Sequence, residues 1–419
     1  MPRSSHRRQI LGLMAGLGIA PFARGQPTRR PLKIGMGMGL TGSVAANGKA
    51  ALLAMQIWAE DVNARGGLLN RQVKLVYYDD QSNGSLVPGI YTKLLDVDKV
   101  DLIVSGYGTN FIAPALPVAM RRRMVLMSLF GTNSNAQFKY DRYFEIKPNG
   151  ADPAVDLTAG FFDVVASAKP RPTSIALVGV DNEYGAMVLQ GARANARKHG
   201  FKVVYDKTYP PNTTNFSPML GSVAATAPDA VFVASFPPDT VGIVRAAHEV
   251  NLRTTVFGGG MVGLQYAAVK QQLGNLMNGL VSPEMYVPEP TLSFKGIEAF
   301  LSKYQPRAEK LGVDPLGYYV PPFAYAMMEI LGQAVEKTGG TDQKMLADYI
   351  HATRFDTVVG SVKFGANGEW EKGRTLWSQY HSVQGNSIDQ FKRAGRVHIL
   401  APAEFKSGDL RYPYPPSVS

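Results

Sequence analysis

The sequence predicts an α/β protein made of two blocks of parallel sheet. Short buried strands alternate with amphipathic helices from Leu32 onward, which is the pattern of successive βαβ units. A second series of the same kind begins after Pro170 and Pro172. The chain of 419 residues is long for one hydrophobic core and sufficient for two. We therefore expect two lobes of similar architecture with a cleft between them.

The first element is a strand that runs directly into a glycine-rich turn, in the tract LKIGMGMGLTG that begins at Leu32. A helix follows, and the second strand ends at Asp79 and Asp80. In parallel α/β sheets ligands bind at the carboxyl ends of the strands, because loops and helix N-termini converge there. The turn is therefore a candidate ligand-binding loop.

This turn has two interpretations. Gly37, Gly39 and Gly42 match the dinucleotide fingerprint G-x-G-x-x-G. A nucleotide site would also need an acidic residue about 20 positions later, at the end of the next strand, to bind the ribose, and Asp79 and Asp80 come much too late in the chain. A bound nucleotide is therefore the less favoured alternative. We interpret the turn as a low floor of the cleft, where glycines keep side chains away from a small solute and Asn47 reaches it.

The N-terminal segment has the features of an export signal. Arg7 and Arg8 precede an apolar run over Ile10–Ala20, and the small residues that end at Gly25 suit a signal peptidase. The apolar run is too short to anchor the chain in a membrane. We interpret residues 1–25 as a cleaved signal peptide of the twin-arginine type, and we expect the mature protein in the periplasm.

Composition argues against several classes of function. The chain has no cysteine, so it has no disulfide, thiol nucleophile or thiolate metal site. The formal net charge of +11 is scattered, apart from Arg121 to Arg123 at a predicted helix end, and no basic face with interleaved aromatics indicates nucleic-acid binding. Neither H-E-x-x-H nor G-x-S-x-G occurs, and the histidines are dispersed. We expect no enzyme, no metal and no cofactor.

The remaining elements follow from the pattern of apolar residues. One helix is predicted over Phe111–Arg121, and longer helices over Ser293–Leu311 and Tyr318–Lys337. A hairpin is expected with its turn at Asn367, and the proline-rich tail from Pro402 is expected to be irregular. The strands of the second block are SIALVGV, FKVVYDKTY, AVFVASF, TTVFGGG and GLVSPEMY.

The order of these motifs resembles the type I periplasmic solute-binding proteins of ABC importers, in their leucine/isoleucine/valine-binding branch. The matching tracts are KIGMGMGLTG, DVNARGGLLNRQVKLVYYDDQSN, SGYGTN, SLFGTN, VDNEYG and VVGSVKFGANGEW. The resemblance implies two Rossmann-like lobes with parallel-sheet cores, joined by a three-crossover hinge near Pro148, Glu284 and Gly373. It divides the chain into lobe 1, residues 32–148 plus 285–372, and lobe 2, residues 149–284 plus 373–419.

The resemblance also implies a monomer that captures a small-molecule ligand by lobe closure and presents it to a membrane permease. Two other classes of function stay open from the residues alone. One is an exported α/β enzyme with a bound nucleotide cofactor, and the other is a ligand-sensing receptor module of the same fold.

Two loops at strand ends form the predicted site of the first lobe. Thr109 and Thr132 each follow a strand, so their side chains are expected to cap the next helix while free amides face outward. Together the two loops would form an uncharged binding site, or cradle, for a carboxylate. The alternative is that both threonines are ordinary helix caps. The resemblance favours ligand contact by the residues of both loops, which are Tyr107, Gly108, Thr109, Asn110, Phe130, Gly131 and Thr132.

In the second lobe the resemblance makes Tyr184 the principal ligand contact. Phe236, Gly260 and Met261 lie at the next two strand ends and are predicted to line the cleft. Tyr318 is expected to add to its apolar wall.

The loop over residues 258–263 contains no acidic residue, although amino-acid binders of the resembling family place one there for the ligand ammonium. A buried ammonium without a carboxylate is costly. The acids that remain as substitutes are Asp181, Glu183, Asp239 and Glu284. We therefore predict a small carboxylate with an apolar or aromatic body as the ligand, with a hydrophobic or branched-chain amino acid as the alternative.

Overall fold

Two separate parallel sheets organise the chain in the computed structural model, which describes residues 30–416. The predicted signal peptide, residues 1–25, lies outside the described residues. The predicted fold of two α/β lobes is confirmed.

The sheet of the first lobe contains five parallel strands in the order β2-β1-β3-β4-β5. The strand β1 is buried along almost its whole length, as expected for a sheet covered on both faces. Because all five strands are parallel, their carboxyl ends share one edge. The strands are β1 (Leu32–Met38), β2 (Val73–Asp79), β3 (Leu102–Tyr107), β4 (Leu126–Leu129) and β5 (Tyr143–Glu145).

The second lobe begins with five more parallel strands, β6 (Ser174–Val180), β7 (Lys202–Tyr209), β8 (Ala230–Ala234), β9 (Val256–Gly258) and β10 (Val281–Glu284). The antiparallel pair β11 (Arg354–Thr357) and β12 (Gly360–Lys363) follows in the chain. Two antiparallel strands, β13 (Leu376–Tyr380) and β14 (Val397–Ala401), then complete the second sheet in the order β14-β13-β10-β9-β8-β6-β7.

Helices cover both sheets. The first-lobe helix α1 packs against α10 and α11, and α5 packs against α6 in the second lobe. The helices are α1 (Ala45–Ala64), α2 (Val87–Asp96), α3 (Thr109–Ile112), α4 (Leu116–Arg121), α5 (Pro153–Ser167), α6 (Glu183–His199), α7 (Ser217–Ala225), α8 (Pro237–Glu249), α9 (Ala267–Leu273), α10 (Ile297–Leu311), α11 (Pro321–Thr338) and α12 (Gln343–Ala352).

The chain passes between the lobes three times. It leaves the first lobe between β5 and α5, returns between β10 and α10, and leaves again between β12 and β13. The residue numbers at which we divide the lobes, 32–148 plus 285–372 and 149–284 plus 373–419, stay a prediction. No helix within residues 30–416 combines the length and the apolar character that a membrane span requires.

Three elements differ from the expectations. The helix predicted over Phe111–Arg121 is two helices, α3 and α4, because Pro114 and Pro117 lack the N–H that a continuous helix would use. The helix α10 starts at Ile297 rather than Ser293, after Gly296 in a left-handed conformation with φ 91°. The edge strand β14 was not predicted.

Candidate functional site

Aromatic side chains of the first lobe lie together at the carboxyl edge of its sheet. Tyr107 ends β3, Phe130 follows β4, and Tyr319 precedes α11. The ring centroids of Phe130 and Tyr319 are 5.0 Å apart in an edge-to-face arrangement, and the hydroxyls of Tyr107 and Tyr319 are 3.1 Å apart. This packing forms an apolar wall that ends in polar hydroxyl groups.

The second lobe contributes two more tyrosines. Tyr184, in the first turn of α6, donates from its hydroxyl to the carbonyl oxygen of Gly260 at 2.8 Å and lies 5.1 Å from the Phe236 ring. Tyr266 lies 5.4 Å from the ring of Tyr319, centroid to centroid. Rings from both lobes therefore pack against each other where the lobes meet.

The two lobes also share a direct hydrogen bond. Asn47, on α1 of the first lobe, donates from Nδ2 to the hydroxyl oxygen of Tyr266 at 2.7 Å. Asn47 thus lies where the two lobes meet, and its contact with a solute stays a prediction. The lobes are thus in contact at the site.

All four tyrosine hydroxyls of the cleft are protonated at neutral pH. Burial raises the pKa of Tyr107, Tyr184, Tyr266 and Tyr319 above the ordinary value of 10.0. Each hydroxyl can donate one hydrogen bond as well as accept, so the site offers neutral polar groups on an aromatic surface.

The threonine loops are joined to each other. The amide of Thr132 donates to Oγ1 of Thr109 at 2.9 Å. Thr109 is the first residue of α3, whose N-cap is Gly108 at φ 96°, and Thr132 is followed by turns instead of a helix. The expectation that both threonines cap helices is therefore wrong, because Thr109 lies inside the first turn of α3, where Gly108 is the N-cap, and no helix follows Thr132 directly.

The amides of the second loop point inward. The carboxylate of Glu145, at the end of β5, accepts from the N–H groups of Phe130 and Gly131, both at 2.9 Å. These donors are therefore occupied and do not face outward as the sequence analysis expected.

The cradle is not neutral, because Lys147 lies beneath it. Lys147 is 8% exposed, and its Nζ donates to Oγ1 of Thr132 at 3.1 Å. Burial lowers the pKa of Lys147, while Glu145 and Glu369 oppose that shift. Lys147 was not among the predicted site residues; its sequence signal is a lysine directly after a buried strand, at the first passage between the lobes.

The other predicted site residues have varied positions. Asn110 is exposed, Phe236 is 38% exposed, and Met261 is fully buried in the hydrophobic core. Tyr318 is buried against Tyr286, at 5.3 Å between ring centroids, so the predicted wall contact at Tyr318 is wrong by one position. The neighbouring Tyr319 contributes to the apolar wall instead.

Two of the four acids considered for a ligand ammonium have partners elsewhere. Glu284 accepts from Nζ of the buried Lys270 at 2.8 Å and from the hydroxyl of Tyr380. Asp239 accepts from the hydroxyl of Tyr209 at 3.1 Å. Glu284 is therefore neutralised by Lys270, whereas Asp239 is partly buried and has only a neutral tyrosine hydroxyl as its partner.

The glycine turn packs closely against its own helix. Oδ1 of Asp79 accepts from the amides of Leu40 and Thr41 at 2.9 and 3.2 Å, so a protein carboxylate already uses donors that a phosphate would need. A Cβ on Gly48 would lie 2.0 Å from the carbonyl oxygen of Gly39. This glycine therefore permits a close approach of α1 to the turn.

These features, two α/β lobes and an aromatic cleft between them, define a solute-binding protein. A family model described as periplasmic binding protein matches residues 31–383, and the chain belongs to that family. Membership places the protein in the periplasm and makes a catalytic role unexpected.

Individual relatives are distant. The leucine-, isoleucine-, valine-, threonine- and alanine-binding protein of Pseudomonas aeruginosa is 22% identical over 381 residues, covering 88% of this chain and 97% of the relative. A branched-chain amino acid transporter substrate binding protein of Streptococcus pneumoniae, solved with isoleucine, has a TM-score of 0.70 at 19% identity, with 89% and 100% of the two chains covered. An ABC transporter solute binding protein of R. palustris, solved with benzoate, has a TM-score of 0.69 at 17% identity, with 88% and 95% covered. Such low identities to solved structures establish the fold alone.

Proposed function

We propose that this chain is the solute-binding component of an ABC importer and that its ligand is a small carboxylate with an aromatic or apolar body. The observation that carries the proposal is the composition of the cleft. Rings from both lobes enclose it, hydroxyls of Thr109 and Thr132 lie with Lys147 at one side, and the loop over residues 258–263 has no acid for an ammonium.

Burial cost favours a ligand without an ammonium group. Closing the lobes removes the ligand from water, and an unpaired cation would then lose several kcal/mol of hydration that no carboxylate of the loop over residues 258–263 restores. An aromatic body, in contrast, gains from contact with tyrosine and phenylalanine rings. The benzoate complex of the R. palustris protein supports an aromatic acid as the ligand class.

A hydrophobic or branched-chain amino acid is the second candidate. It is supported by the Pseudomonas aeruginosa relative, whose name states leucine, isoleucine and valine among its ligands. For such a ligand the tyrosine hydroxyls of the cleft would have to accept hydrogen bonds from the ammonium in place of a carboxylate.

Binding proceeds by lobe closure in this proposal. The ligand docks on the first lobe near Thr109 and Thr132, and contacts with Tyr184 and Tyr266 form only when the second lobe closes over it. The closed protein then presents surfaces of both lobes to a membrane permease. We further propose that the mature protein is a monomer and starts after a signal peptide cleaved near Gly25.

Calorimetric titration tests the ligand class. The mature protein is unfolded and refolded to remove any bound ligand, and is then titrated with benzoate and with leucine. We expect benzoate to bind more tightly than leucine. Tight binding of leucine with none of benzoate would overturn the aromatic acid and leave the amino acid, whereas binding of neither would argue against both.

A further inference from the structure

Lys147 is a buried cation with too few partners. Its side chain lies inside the protein at 8% exposure, and an ammonium group has three N–H donors. Within residues 30–416 its one side-chain hydrogen bond goes to Oγ1 of Thr132, and no carboxylate forms an ion pair with it. A buried charge normally has an opposite charge or several acceptors, so this arrangement is incomplete.

The nearest buried carboxylate is committed to other donors. Glu145 accepts hydrogen bonds from the amides of Phe130, Gly131 and Lys147 and from the hydroxyls of Ser128 and Tyr143, at 2.6 to 2.9 Å. These five bonds hold it under the loop, turned towards the backbone. Glu145 therefore orders the loop that carries Thr132 and leaves the ammonium of Lys147 without a direct counter-charge.

The second buried acid, Glu369, is no better placed. It is 3% exposed, and its Oε2 has no hydrogen-bond partner within the described part of the chain. Burial and the neighbouring Glu145 raise its pKa well above the ordinary value, although Lys147 opposes that shift from a distance. A carboxyl group in that state favours its neutral form. The free donors of Lys147 lie beside the Thr132 hydroxyl, which is where the ligand docks in the proposed function.

We propose that Lys147 is the specificity-determining residue of this site and that its ammonium, with the Thr132 hydroxyl, binds the carboxylate of the ligand. The inference rests on the proposed function and deepens it, since it assigns the charge that selects an anion. The ligand carboxylate completes the coordination of the buried cation, and it raises the pKa that burial had lowered. A neutral ligand of the same shape leaves the ammonium of Lys147 without an opposite charge.

The test compares benzoate with benzamide, which have nearly the same shape but differ in charge. In the wild-type protein we expect benzoate to bind about ten- to hundredfold more tightly, the range for one charged hydrogen bond in a buried site. Lys147→Met should lower the affinity for benzoate by about the same factor and leave that for benzamide unchanged. Lys147→Arg, which keeps the charge, should retain part of the preference.

The matched control is Lys74→Met, which removes an exposed lysine of β2 and should change neither affinity. Equal binding of benzoate and benzamide by the wild-type protein overturns the assignment of Lys147 without any variant, and so does a Lys147→Met protein that keeps the benzoate preference. If the wild-type protein binds leucine but neither probe, only the aromatic ligand class of the proposed function fails. An unchanged affinity of Lys147→Met for leucine would then overturn the role of Lys147, and a reduced one would support it.

Discussion

At the scale of single residues, Thr132 joins the two loops of the first lobe to the buried cation. Its amide donates to Thr109, and its hydroxyl accepts from Lys147. The residue is half-buried at the carboxyl edge of the first-lobe sheet. We infer that it helps to orient the ligand carboxylate.

Replacing this hydroxyl tests its role in binding. We expect Thr132→Ala to lower the affinity for benzoate about tenfold, because one hydrogen bond to the ligand is lost, while the protein stays folded. Calorimetry measures the affinity and circular dichroism the fold. The control is Thr92→Ala, whose hydroxyl bonds to Pro88 on an exposed turn of α2. An unchanged affinity in Thr132→Ala would remove Thr132 from the site.

A second prediction at this scale concerns pH and stability. Burial raises the pKa of Glu329 to about 7, and its Oε2 accepts from the amide of Val358 at 2.8 Å. The folded state thus holds a proton that the unfolded state releases near pH 4.5. The contribution of Glu329 to stability is therefore present below that pH and is lost as pH rises through about 7.

Glu329→Gln keeps the acceptor but cannot ionise. Its free energy of unfolding should exceed that of the wild-type protein by about 2 kcal/mol at high pH, and the difference should vanish in mild acid. Denaturant titrations at two pH values measure it, with the exposed Glu371→Gln as control. A difference that does not depend on pH would contradict the assigned cause.

How much of the site could be predicted depends on where each residue lies in the chain. Residues directly after strands, such as Tyr107, Thr109 and Thr132, could be predicted because parallel strands end at one edge. Tyr266 and Tyr319 precede helices in irregular segments, where no period indicates which side chain faces the cleft. Lys147 also follows a buried strand, β5, but the burial of its ammonium depends on tertiary packing that no local pattern encodes.

At the scale of elements, the contact between α5 and α6 is unusually close. A Cβ on Gly191 of α6 would lie 1.9 Å from the carbonyl oxygen of Ala154 on α5. Asn195, one turn later, donates from Nδ2 to the carbonyl oxygen of Val155 at 2.9 Å. The absence of a side chain at Gly191 therefore allows the two helices to pack this closely.

Gly191→Ala should push these helices apart. We expect the free energy of unfolding to fall by about 1 to 3 kcal/mol, because overpacking outweighs the gain in helix propensity. The matched control is Gly221→Ala in α7, where a Cβ meets nothing within 4 Å, and we expect a gain of up to about 1 kcal/mol there. Equal effects of the two substitutions in denaturant titrations would contradict the packing argument.

Helices and strands with a clear periodicity of apolar residues were predicted closely. The strand SIALVGV coincides with β6, and the helix predicted over Tyr318–Lys337 corresponds to α11 (Pro321–Thr338). Errors arose where tertiary structure decides, as at β14, which is an edge strand held by pairing with β13. Local sequence does not contain that pairing.

At the scale of the whole molecule, the two lobes meet through few polar contacts at the site. Asn47 of the first lobe bonds to the hydroxyl of Tyr266, which also packs against Tyr319. A ligand favours closure only to the extent that it binds the closed form more tightly than the open form. The direct bond between Asn47 and Tyr266 therefore shifts the equilibrium towards closure.

Tyr266→Phe removes this bond and keeps the ring. We expect a larger radius of gyration for the unliganded protein, measured by small-angle X-ray scattering, because the open form gains population. The affinity for benzoate should fall about fivefold, corresponding to one hydrogen bond of about 1 kcal/mol in the closed form. The control is Tyr77→Phe, since Tyr77 is 39% exposed on β2. If Tyr266→Phe lowers the affinity without changing the radius, Tyr266 acts on the ligand directly, and the shift in the lobe equilibrium is excluded.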